Sequence, residues 1–193
     1  ADAYIFPTQL LDEKVNILHK PSVIIHGTYQ VEYDRNVDVF NNENKVDLKI
    51  VHCVYAGTLD PRKGGATAAL AALYLPANYH IHILGFGSDS DKDEIKKLIT
   101  EINAKSSAVV TYDGLLSGEE YIRFLQSCCI GLSTQNPNAT FNATSFPSKI
   151  LSYLSNGLHV VSIRIPAIEK SAVAGLLSFY DKQTPEEIAE AIM

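Results

Sequence analysis

From Val46 onward, short apolar runs alternate with longer segments whose apolar residues recur every three or four positions. The runs Lys49 to Tyr55, Tyr79 to Leu84, Ala108 to Thr111, Cys129 to Ser133 and Leu158 to Val161, with one near Leu176 to Tyr180, predict strands. Helices are predicted from Gly64 to Leu75, from Asp89 to Lys105, from Gly118 to Cys128, after Pro147 and from Pro185. Strands that alternate with helices of ten or more residues need crossover connections. The pattern therefore predicts an α/β fold, a doubly wound, Rossmann-like parallel sheet covered on both faces. Residues 1–45 read differently. An apolar start (Tyr4, Ile5, Phe6), a helical stretch around Leu10 to Leu18 and a strand-like Val23 to Ile25 give way to a polar run, Glu32 to Lys45, that reads as a loop or linker.

One stretch, Thr144 to Ser162, combines a Ser/Thr-rich loop, Pro147 at a first helical position, an apolar stripe of Ile150, Leu151 and Leu154, and Gly157 as the stop. A helix start of this kind leaves amide donors where an anion could sit, and an ordinary αβ unit reads the same way. Ser117 with Glu120 and Thr184 with Glu187 both fit the capping box. Asp89, Asp91, Asp93 and Glu94 stand at a helix start, where the dipole favours negative charge.

Composition narrows the function classes. Across 193 residues, 46% hydrophobic and 20% charged, the net charge is −6, which argues against unspecific binding to nucleic acid or an anionic membrane surface. No apolar run approaches the roughly 20 residues of a membrane helix, and no signal-peptide layout opens the chain, so a cytoplasmic protein is expected. Cys53, Cys128 and Cys129 form no CxxC pair and lie in apolar contexts, which predicts reduced, buried thiols. The first residue, Ala1, and the unfinished helix pattern ending at Met193 suggest an excised segment.

Ligands of an open parallel sheet bind beyond the carboxyl ends of its strands, which singles out the loops Gly57 to Gly65, Gly85 to Asp89, Asp113 to Ser117 and Ser133 to Ser148. Gly57-Thr-Leu-Asp-Pro-Arg-Lys63-Gly-Gly nearly matches the Walker pattern, but Arg62 stands where the second glycine belongs and Gly64 where the hydroxyl belongs. A glycine turn with a lysine at a helix start remains, suited to holding a diphosphate without metal or to a plain solvated turn. Gly85-Phe-Gly87 lacks the third glycine of a dinucleotide fingerprint and reads as a tight turn. His80 and His82 share one strand face, yet no third ligand stands at a suitable spacing, so packing roles are expected. The sequons at Asn138 and Asn142 would matter only in a secreted protein.

Together these segments resemble the donor-binding half of the GT-B glycosyltransferases, in particular the group 1 (family 4) enzymes. The resemblance rests on Tyr55-Ala-Gly-Thr-Leu-Asp-Pro-Arg-Lys-Gly64, Ile83-Leu-Gly-Phe-Gly87, Tyr112-Asp-Gly-Leu-Leu-Ser117 and Ser145-Phe-Pro-Ser-Lys-Ile-Leu-Ser-Tyr-Leu-Ser-Asn-Gly157 with Val160-Val-Ser162. Lys20 to Gly27 is similar to the family's segment between its two domains. The resemblance implies residues 1–45 as the end of an acceptor domain with its linker, and 46–193 as the GT-B C-terminal, donor-binding domain, truncated before its final helices. It implies a nucleoside-diphosphate sugar as donor substrate, no cofactor and no metal, and a glycan or lipid acceptor held by the missing domain, through which any peripheral membrane attachment would run. Lys63 would neutralise the diphosphate with amides of Gly57, Thr58 and the Ser145 to Ser148 helix start, and the base would lie against Tyr112 to Leu115. The wider binding set expected is Gly57, Thr58, Arg62, Lys63, Gly64, Tyr112, Leu115, Ser145, Phe146, Pro147, Ser148, Lys149 and Ser152, with no catalytic residue named. Thr58 stands where the family usually has arginine, Thr144 and Ser152 where it has two glutamates, and His159 where proline is common. A sugar-nucleotide epimerase of similar build and a non-catalytic scaffold keeping the fold are the alternatives.

Overall fold

The computed structural model describes residues 1–28 and 50–193. The polar run Glu32 to Lys45 falls outside the described residues. The amino-terminal portion holds β1 (Tyr4–Phe6), α1 (Gln9–Val15) and β2 (Ser22–Ile24), the two strands pairing in parallel with Tyr4 opposite Ser22. The rest alternates as the hydrophobic pattern predicts: β3 (Val51–Thr58), α2 (Gly65–Leu70), β4 (Tyr79–Phe86), α3 (Asp89–Asn103), β5 (Val109–Gly114), α4 (Gly118–Gln126), β6 (Ile130–Ser133), α5 (Lys149–Ser155), β7 (His159–Ile163), α6 (Pro166–Glu169), β8 (Leu177–Tyr180) and α7 (Pro185–Ile192). Strands β3 to β8 form one six-stranded, all-parallel sheet in the order β5-β4-β3-β6-β7-β8.

That order grows outward from β3 in one direction, then returns to place β6 on its other side. The switch point lies between β3 and β6, where the connections diverge and a crevice opens at the carboxyl ends. The central strands are buried on both faces, which is why Cys53, Val54 and Tyr55, Ile81 and Ile83, and Val160 and Val161 read as continuous apolar runs. Helices α2, α3 and α7 pack together on one face of the sheet, α4 and α5 on the other. Helix α3 turns Ile95, Ile99 and Ile102 inward at helical spacing. Against β6, α5 lays Tyr153 so close that a Cβ at Gly131 would lie 2.4 Å from its ring, and the Tyr153 hydroxyl accepts a 2.7 Å bond from the Ala56 amide.

Several local expectations need correction. Helix α5 begins at Lys149, with Ser148 as its cap, so Pro147 precedes the helix. Its end follows the prediction: Gly157 adopts φ +84, and the amides of Leu158 and Gly157 bond the carbonyls of Tyr153 and Leu154, a Schellman motif. The Ser117 hydroxyl makes no cap bond, and Thr184 caps Glu187 while the Glu187 carboxylate turns back to the amides of Asp181 and Lys182. The reciprocal capping box sits instead at α3, between Ser88 and Asp91. Cys53 and Cys128 are buried thiols, whereas Cys129 is exposed.

Candidate functional site

Two loops meet at the switch point, and hydrogen bonds between them fix their spacing. After β3, Tyr55 donates to the Thr58 carbonyl at 2.9 Å, and a 3-10 turn, Pro61–Lys63, is capped by Asp60. Gly64 follows in the left-handed conformation (φ +83), where a Cβ would lie 1.8 Å from the Thr134 carbonyl oxygen, so only glycine fits this contact. From the β6 side the Thr134 hydroxyl donates to the Gly64 carbonyl at 2.8 Å, and the Asn136 amide donates to the Arg62 carbonyl at 2.9 Å. Farther along, buried Asn142 spends both ends of its amide on Gln135, Asn136 and Pro137, which shapes the loop and leaves nothing for a glycan.

Between the loops lies a cleft of about 690 Å³, floored by Ala56, Gly57 and Thr58 with Leu84 to Phe86, and walled by Leu115, Leu116 and Tyr121 on one side and by Phe141 and Ser145 to Lys149 on the other. Two ammonium groups face it. Lys63 Nζ stands 3.6 Å above the Phe141 ring and Lys149 Nζ 3.9 Å above the Tyr55 ring, each held on an aromatic face. A Cβ at Gly57 would come within 3.0 Å of the Lys149 ammonium, so the glycine leaves room for that charge. Among the described residues, no aspartate or glutamate lines the cleft, although the chain carries a net charge of −6. Burial of the Lys149 ammonium, with the charge of Lys63 added, lowers its pKa to about 7.

Of the residues expected from sequence, the structure gathers Gly57, Thr58, Lys63, Leu115, Ser145, Phe146, Pro147, Ser148, Lys149 and Ser152 around this one cleft. Three stand apart. The Arg62 guanidinium is bound to the Asp60 carboxylate, whose pKa it holds down at about 2. Gly64 serves the contact with Thr134, and Tyr112 directs its hydroxyl to the Gly85 carbonyl at 2.9 Å. Ser152, buried, meets the Tyr121 hydroxyl at 3.3 Å, and Thr144 packs beside Phe141, so both positions that carry carboxylates in the resembled family are neutral here. Sequence reasoning overlooked Phe141, Tyr121 and Gln135 as lining residues. Phe141 sits in a 3-10 turn, Thr140–Ala143, too short to leave a periodic signal.

The fold is that of the carboxyl-terminal half of solved GT-B glycosyltransferases. Aligned structures include sucrose-phosphate synthase from Thermosynechococcus elongatus (TM-score 0.75, 16% identity, covering 100% of this chain and 48% of that one). HepE from Anabaena in complex with UDP and glucose aligns with TM-score 0.69 at 15% identity, over 100% of this chain and 52% of that one. The C-terminal domain of the group 1 glycosyltransferase LpcC from Francisella tularensis aligns with TM-score 0.57 at 13% identity, over 76% of each chain. The chain spans about half the length of the first two. No family model and no curated protein matches the sequence. No helix among the described residues is long and apolar enough to cross a membrane.

Proposed function

We infer that the cleft binds the diphosphate of a nucleoside-diphosphate sugar, and that the chain is the donor-binding part of a glycosyltransferase delivering a glycosyl group to a glycan or lipid acceptor. The observation that carries this reading is the pair of lysines, Lys63 and Lys149, converging on an acid-free cleft in an otherwise acidic chain. The leaving group of such a transfer is a nucleoside diphosphate, whose growing negative charge two preplaced ammonium groups and the loop amides of Phe146, Ser148 and Lys149 can meet without a metal ion. Complexes of HepE with UDP and with UDP-glucose, and a structure from E. coli bound with UDP-2-fluoro glucose, show that ligand class on similar folds.

The acceptor side belongs to a second domain, of which residues 1–45 form the end, with 46–193 as the donor domain. Exposed Ile5, Ile17 and Leu18 on the amino-terminal portion support this division, because such apolar surface is what a domain remnant leaves uncovered. Alone, the chain binds and does not turn over. A cytoplasmic site of action in polysaccharide synthesis agrees with nucleotide-sugar chemistry. Calorimetry with UDP, GDP and ADP tests the core claim. One of them should bind, and Lys63→Ala should weaken it about tenfold or more, since a charge-assisted contact contributes about 1.5–3 kcal/mol. No binding by any of the three, or an unchanged affinity in Lys63→Ala, overturns it.

A second reading, a binding module without transferase activity, is favoured by the hydroxyls at Thr144 and Ser152 in place of carboxylates. Assaying the full-length parent for released nucleoside diphosphate separates the two. The epimerase alternative needs an acid/base pair, and neither a carboxylate nor a histidine lines the cleft among the described residues.

A further inference from the structure

On the sheet face covered by α4, three histidines from two strands come together. His52 of β3 is the register partner of His80 of β4, and His82 lies two residues on, so all three rings share one face. The sequence places His52 28 residues before His80, which is why it escaped a search for ligands at short spacing. The rings of His80 and His82 stack with centroids 3.9 Å apart, His52 Nδ1 is 2.9 Å from His82 Nε2, and one nitrogen of each ring lies within 4.8 Å of the others.

The polar groups behind the rings set their tautomers. Asp113, the extra residue of a bulge where β5 slips register against β4, places its carboxylate 3.1 Å from His82 Nδ1. The Thr111 hydroxyl donates to the same carboxylate at 2.9 Å and stands 3.0 Å from His80 Nε2. A carboxylate can only accept, so His82 carries its proton on Nδ1 and offers the lone pair of Nε2. Thr111, having spent its proton on Asp113, accepts from His80 Nε2, which leaves the lone pair of His80 on Nδ1. His52 Nδ1 then donates to His82 Nε2. Carboxylate behind imidazole is the arrangement that orients a metal-ligating histidine and raises its basicity.

We propose that His52, His80 and His82 form a binding site for a divalent transition-metal ion of the zinc class, with Asp113 and Thr111 as the groups that hold the ligands. Zinc bound at about 2.0–2.1 Å sets tetrahedral ligand nitrogens about 3.3 Å apart, so His52 and His82 need to separate by a few tenths of an ångström while ligand nitrogens now up to 4.8 Å apart close toward that spacing. On binding, His52 gives up its Nδ1 proton and takes one on Nε2, and the ion replaces the hydrogen bond between the two rings. His52 and His80 are half-buried and His82 is buried. The site joins β3, β4 and β5 toward the amino-terminal half of β3 and β4, away from the cleft at their carboxyl ends.

Titration of tag-free full chain with zinc chloride, in a Cys129→Ser background that removes the exposed thiol, tests the assignment. One equivalent should bind, saturating zinc should raise Tm, and His82→Gln should weaken binding at least a hundredfold. Asp113→Asn should weaken it about 10–100-fold while leaving the three ligands in place. If His82→Gln fails to fold, His52→Gln at its half-buried position gives the same readout. Cobalt(II) should give a visible absorption that the His52→Gln variant loses. No stoichiometric zinc binding, a histidine variant that binds as tightly as the parent, or cobalt absorption no stronger than that of the free ion overturns the assignment.

Discussion

Lys149 is the residue on which binding and stability pull in opposite directions. Its pKa is near 7 in the folded chain, well below that of an unfolded lysine, so between those values the unfolded chain binds more protons. Stability of the ligand-free protein should therefore rise with pH above about 7, readable as an increase in Tm between pH 7 and pH 9. Binding of a nucleotide sugar, whose diphosphate diester does not titrate there, should weaken over the same interval, because the charge that attracts it is lost from the free protein. Lys149→Arg should flatten that affinity profile. Lys149→Met should raise Tm by about 2–4 °C for each kcal/mol of relieved desolvation and still bind more weakly. A rise of affinity with pH, or a Lys149→Met protein that melts lower, would count against the buried ammonium. The sequence pointed to both lysines, one in a glycine turn and one at a helix start. It could not show that they face each other, because their meeting depends on bonds from Thr134 and Asn136 to the Gly64 turn across 70 residues or more.

At the level of elements, the hydrophobic alternation located every strand of the large sheet, since strands buried on both faces print themselves as apolar runs. Caps were harder to place. Ser117 and Glu120 have the right spacing, yet the box forms at Ser88 and Asp91, where a shorter acid reaches back to the cap amide. Ser88→Ala should cost about 1 kcal/mol in denaturant unfolding, while Ser117→Ala should stay within about 0.5 kcal/mol. Equal losses would mean that both serines cap. Gly131 was likewise silent in sequence, because its role is to give room to a ring on another element. Gly131→Ala should destabilise by about 1–3 kcal/mol through its contact with Tyr153. The short helical turns around Phe141 and Ala174 escaped because three or four residues carry no period.

For the whole molecule, the strand order puts the crevice where the chain reverses its winding, and the two lysines are delivered there from opposite sides of the switch point. The histidine cluster lies on the same sheet and was missed for a related reason: parallel pairing sets His52 beside His80 only once a whole crossover has been built between them. One property of the cleft bears on how long a ligand stays. With no carboxylate lining the cleft among the described residues, Lys63 and Lys149 rest on the rings of Phe141 and Tyr55, and a diphosphate bound as proposed would have to draw them off contacts of about 0.5–2 kcal/mol each. On the proposed diphosphate-binding reading the same contacts would be regained when the nucleotide departs, which would shorten its residence time. In stopped-flow displacement, Phe141→Leu should slow dissociation of whichever of UDP, GDP or ADP binds severalfold, and an unchanged rate would show that the ring does not hold the charge back.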